Sequence, residues 1–202
     1  SHHVEKHGDG VKSVGMRTRD VRKAWETAVS RGAVSVQEPI TVTDENGTYI
    51  SAAVRTYGDT IHTFVDRSNY KGFAPGYKTM TGKTGRGVGL VSVDHVVGNV
   101  DEEKLVEWVE FYNRVFGFYI FQYFDATDIS TKYSALVSKV MANKSGSIKM
   151  PINEPYEQGL RKSQITEYLD FYHAPGVQHI AISTRDIIST VRELRARGID
   201  FL

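Results

Sequence analysis

The sequence predicts an α+β chain of paired βαβββ modules, incomplete at its C-terminus. Three observations carry the prediction: a strand written three times, βαβββ spacing after each of the first two copies, and a glycine-rich stretch between them. The repeat is clearest in Val177-Gln178-His179-Ile180-Ala181-Ile182-Ser183-Thr184-Arg185-Asp186-Ile187. Val11-Lys12-Ser13-Val14-Gly15-Met16-Arg17-Thr18-Arg19-Asp20-Val21 matches it at a constant offset, and Val93-Asp94-His95-Val96-Val97-Gly98-Asn99-Val100-Asp101 is a looser copy. Strand alternation assigns Val177, His179 and Ala181 to one face and Gln178, Ile180 and Ile182 to the other. The third position of the repeat is Ser13, His95 and His179, so two copies offer a metal ligand and one does not.

Residues 11–18 read as the first strand. Asp20 caps a helix whose apolar side is Val21, Ala24, Trp25, Ala28 and Val29, and Gly32 ends it. A short strand at 34–37 is limited by Pro39. Residues 40–43 then lead into the Asp44-Glu45-Asn46-Gly47 turn, and 48–57 and 60–65 form a second hairpin around Gly58-Asp59. Residues 71–90 read as a linker by their glycine content. Gly82-Lys83-Thr84 resembles the end of a phosphate-binding loop, but Tyr77 stands where that loop needs its first glycine.

The second module opens with a strand at 91–97. A helix follows over 101–115, with Leu105, Trp108, Val109, Tyr112 and Val115 on one side and Gly117 as its cap. Strands are expected at 119–124, 134–142 and 147–151. Ile152-Asn153-Glu154-Pro155 turns into a polar loop, and a short helix over 163–172 precedes the strand of His179. Asp186 then caps a helix with Ile187, Ile188, Val191 and Leu194 inward, Gly198 closes it, and a strand begins at Ile199. The domain reading is a module at 1–70, a linker at 71–90 and a second domain at 91–202 that stops within its last module. The chain is expected to be a piece of a longer protein.

Composition excludes several classes. With no cysteine, there are no thiolate metal sites, disulfides or cysteine nucleophiles. A net charge of +1 offers no basic stripe for nucleic acid. No apolar run approaches the roughly 20 residues of a membrane span, and no secretory signal opens the chain. A soluble, cytoplasmic protein is expected. The sequons Asn46-Gly47-Thr48 and Asn143-Lys144-Ser145 read as local sequence, the first as a hairpin turn.

Of the seven histidines, His2, His3 and His7 are expected in a ragged N-terminus, and His62 and His173 as surface or satisfied interior residues. His95 and His179 stand apart. Equivalent strands of paired modules pack near one another and bring both imidazoles to one centre. Two neutral imidazoles suit Fe, Cu, Ni or Zn, and with one carboxylate they form a facial triad for Fe(II). Alternation points Asp94 away from His95, and Glu154 falls in a loop. The third carboxylate is therefore expected beyond Leu202.

Several runs together resemble the 4-hydroxyphenylpyruvate dioxygenase family, the animal-type enzymes most closely. They are His7-Gly8-Asp9-Gly10-Val11-Lys12, Thr56-Tyr57-Gly58-Asp59-Thr60, Val93 to Asn99, Lys149-Met150-Pro151-Ile152-Asn153-Glu154-Pro155, Lys162-Ser163-Gln164-Ile165 and Gly176 to Ala181. The resemblance runs over essentially the whole chain. It implies the vicinal-oxygen-chelate, or glyoxalase-like, fold, with a catalytically silent N-terminal domain and an iron-binding C-terminal one. It implies His95 and His179 as Fe(II) ligands, Ser138, Asn153 and Gln164 as polar residues orienting substrate, and Gln178 as the glutamine beside the second ligand. The implied reaction converts 4-hydroxyphenylpyruvate and O2 to homogentisate and CO2 in tyrosine and phenylalanine catabolism. The implied assembly is a homodimer or homotetramer, with Trp25 and Trp108 available to core or interface. The glutamate ligand and a gating helix of that family are missing from the sequence, so the chain alone is expected to be inactive. 4-Hydroxymandelate synthase and a non-catalytic binding module of the same fold remain as alternatives.

Overall fold

The computed structural model describes residues 2–78, 80, 82, 85–125, 135–156 and 162–201, with Ala135 described by its backbone alone. Lys83, Thr84, Ser134 and residues 157–161, where the sequence suggests a polar loop, lie outside these residues. The chain opens not on a ragged end but on a helix, α1 (His2–His7), in which His3 and His7 are buried. The reason is polar pairing. His7 sits between the Tyr172 carbonyl oxygen (2.7 Å from Nδ1) and Asp59 Oδ2 (2.9 Å from Nε2), and its ring stacks on Tyr172. The Lys6 ammonium, followed by His7, holds the Asp59 carboxyl down at about 2.

The first module is β1 (Ser13–Arg17), α2 (Val21–Ser30), β2 (Ser35–Asp44), β3 (Gly47–Arg55) and β4 (Ile61–Tyr70). Asp20 Oδ1 accepts from the Lys23 amide and caps α2 as the sequence predicts. The strand at 34–37 does not stop at Pro39. It continues as β2, with register shifts between Ser35 and Ile40 that let it pass the proline on the edge of the sheet. The β2–β3 hairpin turns at Glu45-Asn46 rather than Asn46-Gly47, and Gly47, at φ +121°, pairs with Asp44 and opens β3. The sheet order is β1-β4-β3-β2, with β1 parallel to β4.

The second module repeats this topology: β5 (Leu90–Asn99), α3 (Leu105–Phe116), β6 (Tyr119–Phe124), β7 (Ala135–Ala142) and β8 (Lys149–Tyr156). The order β6-β7-β8-β5, with β5 parallel to β8, is the first sheet over again. The helix begins at Leu105 rather than 101, after a turn in which Glu103 takes φ +61°, and Gly117 closes it at φ +66°. Ile152 to Pro155 do not form a loop but belong to β8. Pro151 and Pro155 lack the N–H that a ladder needs, yet only Ile152 and Asn153 pair with β5, so neither proline breaks a bond there.

After α4 (Gln164–Tyr172), capped by Ser163, strand β9 (Gly176–Thr184) joins the second sheet antiparallel to β5 and makes it five-stranded. Asp186 caps α5 (Ile187–Ala196) through the Ser189 amide. The inward stripe predicted for α5 is not inward: Ile187 and Ile188 are exposed, and no residue of α5 joins the core. A helix buries its apolar stripe only against a facing layer, and the described residues supply none over this helix. Residues 199–201 likewise form no strand, and none of the described strands pairs with them.

One apolar cluster serves both sheets. It runs from Met16, Val54 and Phe64 through α2 to Val109, Tyr112 and Val115 of α3, then to Met141 and Ile152. Trp25 and Trp108 pack against it. The Tyr57 ring lies on Gly98, where any Cβ would collide with it, and meets Trp108 edge-on. No helix among the described residues is long and apolar enough to cross a membrane.

His62 is fully buried on β4, with its Nε2 2.7 Å from the Tyr112 hydroxyl on α3. Burial pushes its pKa from 6.5 down to about 4, so the fold holds the ring neutral. The unfolded chain therefore takes up a proton between these pH values that the folded chain does not. Stability is unaffected by this group above pH 6.5 and declines as pH falls toward 4. The loss is on the order of 3 kcal/mol. Urea unfolding of the wild type and His62→Leu at pH 7.5 and 4.5 tests this: the decline is expected to be shallower in the variant, and parallel declines would sink the assignment.

Candidate metal centre

His95 comes from β5 and His179 from β9. In the antiparallel ladder His95 faces Ala181 and Val97 faces His179, so the histidines occupy diagonal positions on one face. Their ring centroids are 5.8 Å apart at an interplanar angle of 73°. Ladder register alone brings together two residues separated by most of the second module.

The residue before each histidine is turned onto the same side. A register shift between Val93 and His95 leaves Asp94 as an extra residue on β5, and another leaves Gln178 extra on β9 between Val177 and His179. Strict alternation had sent both to the opposite face; the bulges correct that. Asp94 Oδ2 lies 2.8 Å from His95 Nδ1, and Gln178 Oε1 lies 3.0 Å from His179 Nδ1. Both neighbours are acceptors, so each imidazole carries its proton on Nδ1 and keeps a lone pair on Nε2.

Asp94 is itself anchored, because its Oδ1 accepts from Lys149 Nζ at 2.8 Å. The His95 ring first, and then the Lys149 ammonium, hold its carboxyl below the usual carboxylate range. Burial, followed by the nearby His95, lowers the His179 pKa. The lowered pKa of His179 favours the neutral imidazole that a metal requires.

A cavity of about 550 Å³ opens over this face and brings together all six residues singled out in the sequence. His95 and His179 line it, as do Ser138 from β7, Asn153 from β8, Gln164 from the first turn of α4, and Gln178. Ser138 and Asn153 are directly paired across β7 and β8, and both are buried. Asn153 Nδ2 also lies 3.4 Å from Oδ1 of Asn99. Phe121, Phe124, Leu136 and Pro151 form the apolar part of the wall.

Sequence reasoning missed Lys149, Asn99 and this wall. Lys149 sits in the Lys149-Met150-Pro151 run, but only the fold shows its approach to Asp94. Among the described residues no group of three His, Cys, Asp or Glu side chains could hold a metal ion. The donor set is thus two imidazole nitrogens, which fits part of a metal site.

Glu154 is excluded as the missing donor, because its Oε2 accepts the Leu105 amide at 3.0 Å. It caps α3 from a neighbouring strand and places a negative charge at the positive end of the helix. Glu154→Ala is expected to cost about 1 kcal/mol of stability, and Glu154→Gln less, with metal retention unchanged in both. Loss of metal from a folded Glu154→Gln protein would return this residue to the ligand set.

Known proteins resemble the chain in sequence and in fold. A model of the glyoxalase/bleomycin resistance protein/dioxygenase superfamily matches residues 92–202. The 4-hydroxyphenylpyruvate dioxygenase of Aspergillus fumigatus is 45% identical over 207 residues, covering 99% of this chain and 51% of that one. The enzyme of the same name from Dictyostelium discoideum is 46% identical over 207 residues, covering 99% and 56%. The chain therefore spans about half the length of the curated relatives it matches. Among solved structures, a mutant of 4-hydroxymandelate synthase from Streptomyces coelicolor superposes with a TM-score of 0.83 at 29% identity, covering 100% of this chain and 57% of that one.

Proposed function

The chain belongs to the glyoxalase/bleomycin resistance protein/dioxygenase superfamily, and from that premise we propose that it is part of a non-haem Fe(II) dioxygenase converting 4-hydroxyphenylpyruvate and O2 to homogentisate and CO2. One observation carries the reading: His95 and His179 meet at the mouth of a cavity that also holds Ser138, Asn153, Gln164 and Gln178. The names of the relatives, at about 45% identity over nearly the whole chain, support the substrate.

His95 and His179 would hold the metal through Nε2, the third donor being a carboxylate from outside the described residues. Two imidazoles and one carboxylate suit Fe(II) and leave adjacent positions open. When bound, Fe(II) supplies the redox chemistry with O2 and binds the 2-oxo acid end of the substrate. The work of the chain is positional. Asp94 and Gln178 fix the tautomer and orientation of the two rings, and Lys149 keeps Asp94 in place. Ser138, Asn153 and Gln164 offer hydroxyl and amide groups to the phenol end. Phe121, Phe124 and Leu136 pack on the ring and exclude water.

The structural likeness to 4-hydroxymandelate synthase is consistent with a second reading, oxidation at the benzylic carbon instead of the ring. Product identity separates the two. Full-length protein, loaded with Fe(II) without air and then given substrate and O2, is expected to form homogentisate; hydroxymandelate would select the second reading. His95→Ala and His179→Ala are each expected to lose iron retention and at least about a thousandfold in turnover. Stoichiometric iron in either folded variant would overturn the ligand assignment.

A further inference from the structure

Asn99 is the polar exception in the buried part of β5. Val96, Val97 and Val100 around it are apolar and buried, while Asn99, also on this strand, is 0% exposed. Its Nδ2 has no hydrogen-bond partner among the described residues. A buried amide N–H without a partner destabilises a fold, and an apolar side chain of the same size would avoid the loss. Packing alone therefore gives no reason for an asparagine at this position.

The ladder supplies one. Asn99 lies between Asn153 of β8 and Gly176 of β9. The glycine has no side chain, and the rings of Tyr168 and Tyr172 fill the space beside it. Asn153 is thus the side-chain neighbour that the ladder gives Asn99, and its Nδ2 turns toward Asn99 Oδ1 at 3.4 Å. The two strands are held level here, because the Val100 amide donates to the Asn153 carbonyl at 2.9 Å. Asn153 lines the histidine cavity and Asn99 does not, so Asn99 can act on the cavity only through its neighbour. Asn99 is already fully enclosed, and this pairing does not depend on what covers the outer faces of the sheets.

An amide has a donor end and an acceptor end. With the Asn153 nitrogen drawn toward Asn99, the carbonyl oxygen is the end left for a ligand, and it can only accept. Asn99 stands four residues past His95 on β5, roughly 13 Å along the strand at the usual rise. A ligand whose acid end is held at the histidines meets this acceptor with the far end of its ring. We propose that Asn99 is a positioning residue that turns Asn153 into an acceptor, and that the pair selects a hydroxyl donor at the para position of an aryl substrate. The inference rests on the function proposed above and adds which group of the substrate the far end of the cavity reads.

Binding is measured calorimetrically on full-length protein loaded with Fe(II) and kept free of O2. The probes are 4-hydroxyphenylpyruvate and 4-fluorophenylpyruvate, since fluorine fills nearly the space of a hydroxyl and donates nothing. The wild type is expected to bind the hydroxyl compound at least about tenfold more tightly. Asn99→Leu keeps the volume and removes the acceptor that holds Asn153, and is expected to reduce this preference at least about fivefold. Asn99→Ser, too short to reach Asn153, is expected to do the same. Asn99→Asp keeps an oxygen for Asn153 Nδ2 and is expected to retain the preference. A merely structural role would weaken both probes alike and leave their ratio unchanged; circular dichroism and iron content show that each variant is folded. An undiminished preference in folded Asn99→Leu or Asn99→Ser overturns the inference, as does an equal loss in Asn99→Asp. So does a wild type that binds the fluoro compound as tightly, although homogentisate formation would then leave the reading of the histidine cavity standing. Saturable binding of neither probe overturns both.

Discussion

The antiparallel ladder between β5 and β9 is the constraint on which the candidate site depends. Each histidine alone is a half-exposed strand residue with no chemical distinction. The register that pairs His95 with Ala181 and Val97 with His179 makes them diagonal neighbours 5.8 Å apart, and a slip of one residue would send one ring to the other face. The same ladder contains the irregularities that complete the pair. An extra residue in each strand rotates Asp94 and Gln178 toward the ring that follows, so each histidine is oriented by its own predecessor. Bulges cost regular hydrogen bonding, and here each supplies an acceptor at an imidazole nitrogen.

That register is held from outside the sheet. At the β5 end, Gly98 admits the Tyr57 ring of the first module, and Tyr57 in turn packs on Trp108 of α3. At the β9 end, Gly176 lies against Tyr168 and Tyr172 of α4, and the Tyr168 hydroxyl donates to the Val177 carbonyl at 3.1 Å. Tyr172 is then clasped by α1 through His7 and His3. The N-terminal helix is thus linked, by two aromatic layers, to the start of the strand that carries His179. Both glycines are positions of close approach: a methyl group at either would displace an aromatic ring and with it the strand.

Much of this was legible in the sequence, for a physical reason. The βαβββ order, the caps at Asp20 and Asp186 and the C-terminal glycine at 117 are local signals, and local geometry satisfies them. The histidine pair was legible because repetition exposes equivalent positions. The failures share a different cause. Pro39 and the run ending at Pro155 read as breaks, but a proline interrupts a strand only where its N–H is needed, and that depends on partners the local sequence does not name. Asp94 and Gln178 were assigned to the wrong face because period-two alternation assumes an unbroken ladder. The N-terminal histidines were read as ragged because their partners, Asp59 and Tyr172, are distant in sequence.

The two modules show where such a fold is free to change. On the helix-facing side of their first and last strands the demands are alike: Val14 and Met16 against Phe64 in one sheet, Val96 against Met150 and Ile152 in the other, all within one continuous core. A polar group there would need a buried partner, as His62 needs Tyr112. Among the described residues the opposite face carries no packing layer in either sheet. The same topological position can then hold an imidazole in one module and a hydroxyl in the other without disturbing either sheet. Backbone topology therefore fixes where a site can form, and the unpacked face decides what chemistry it has.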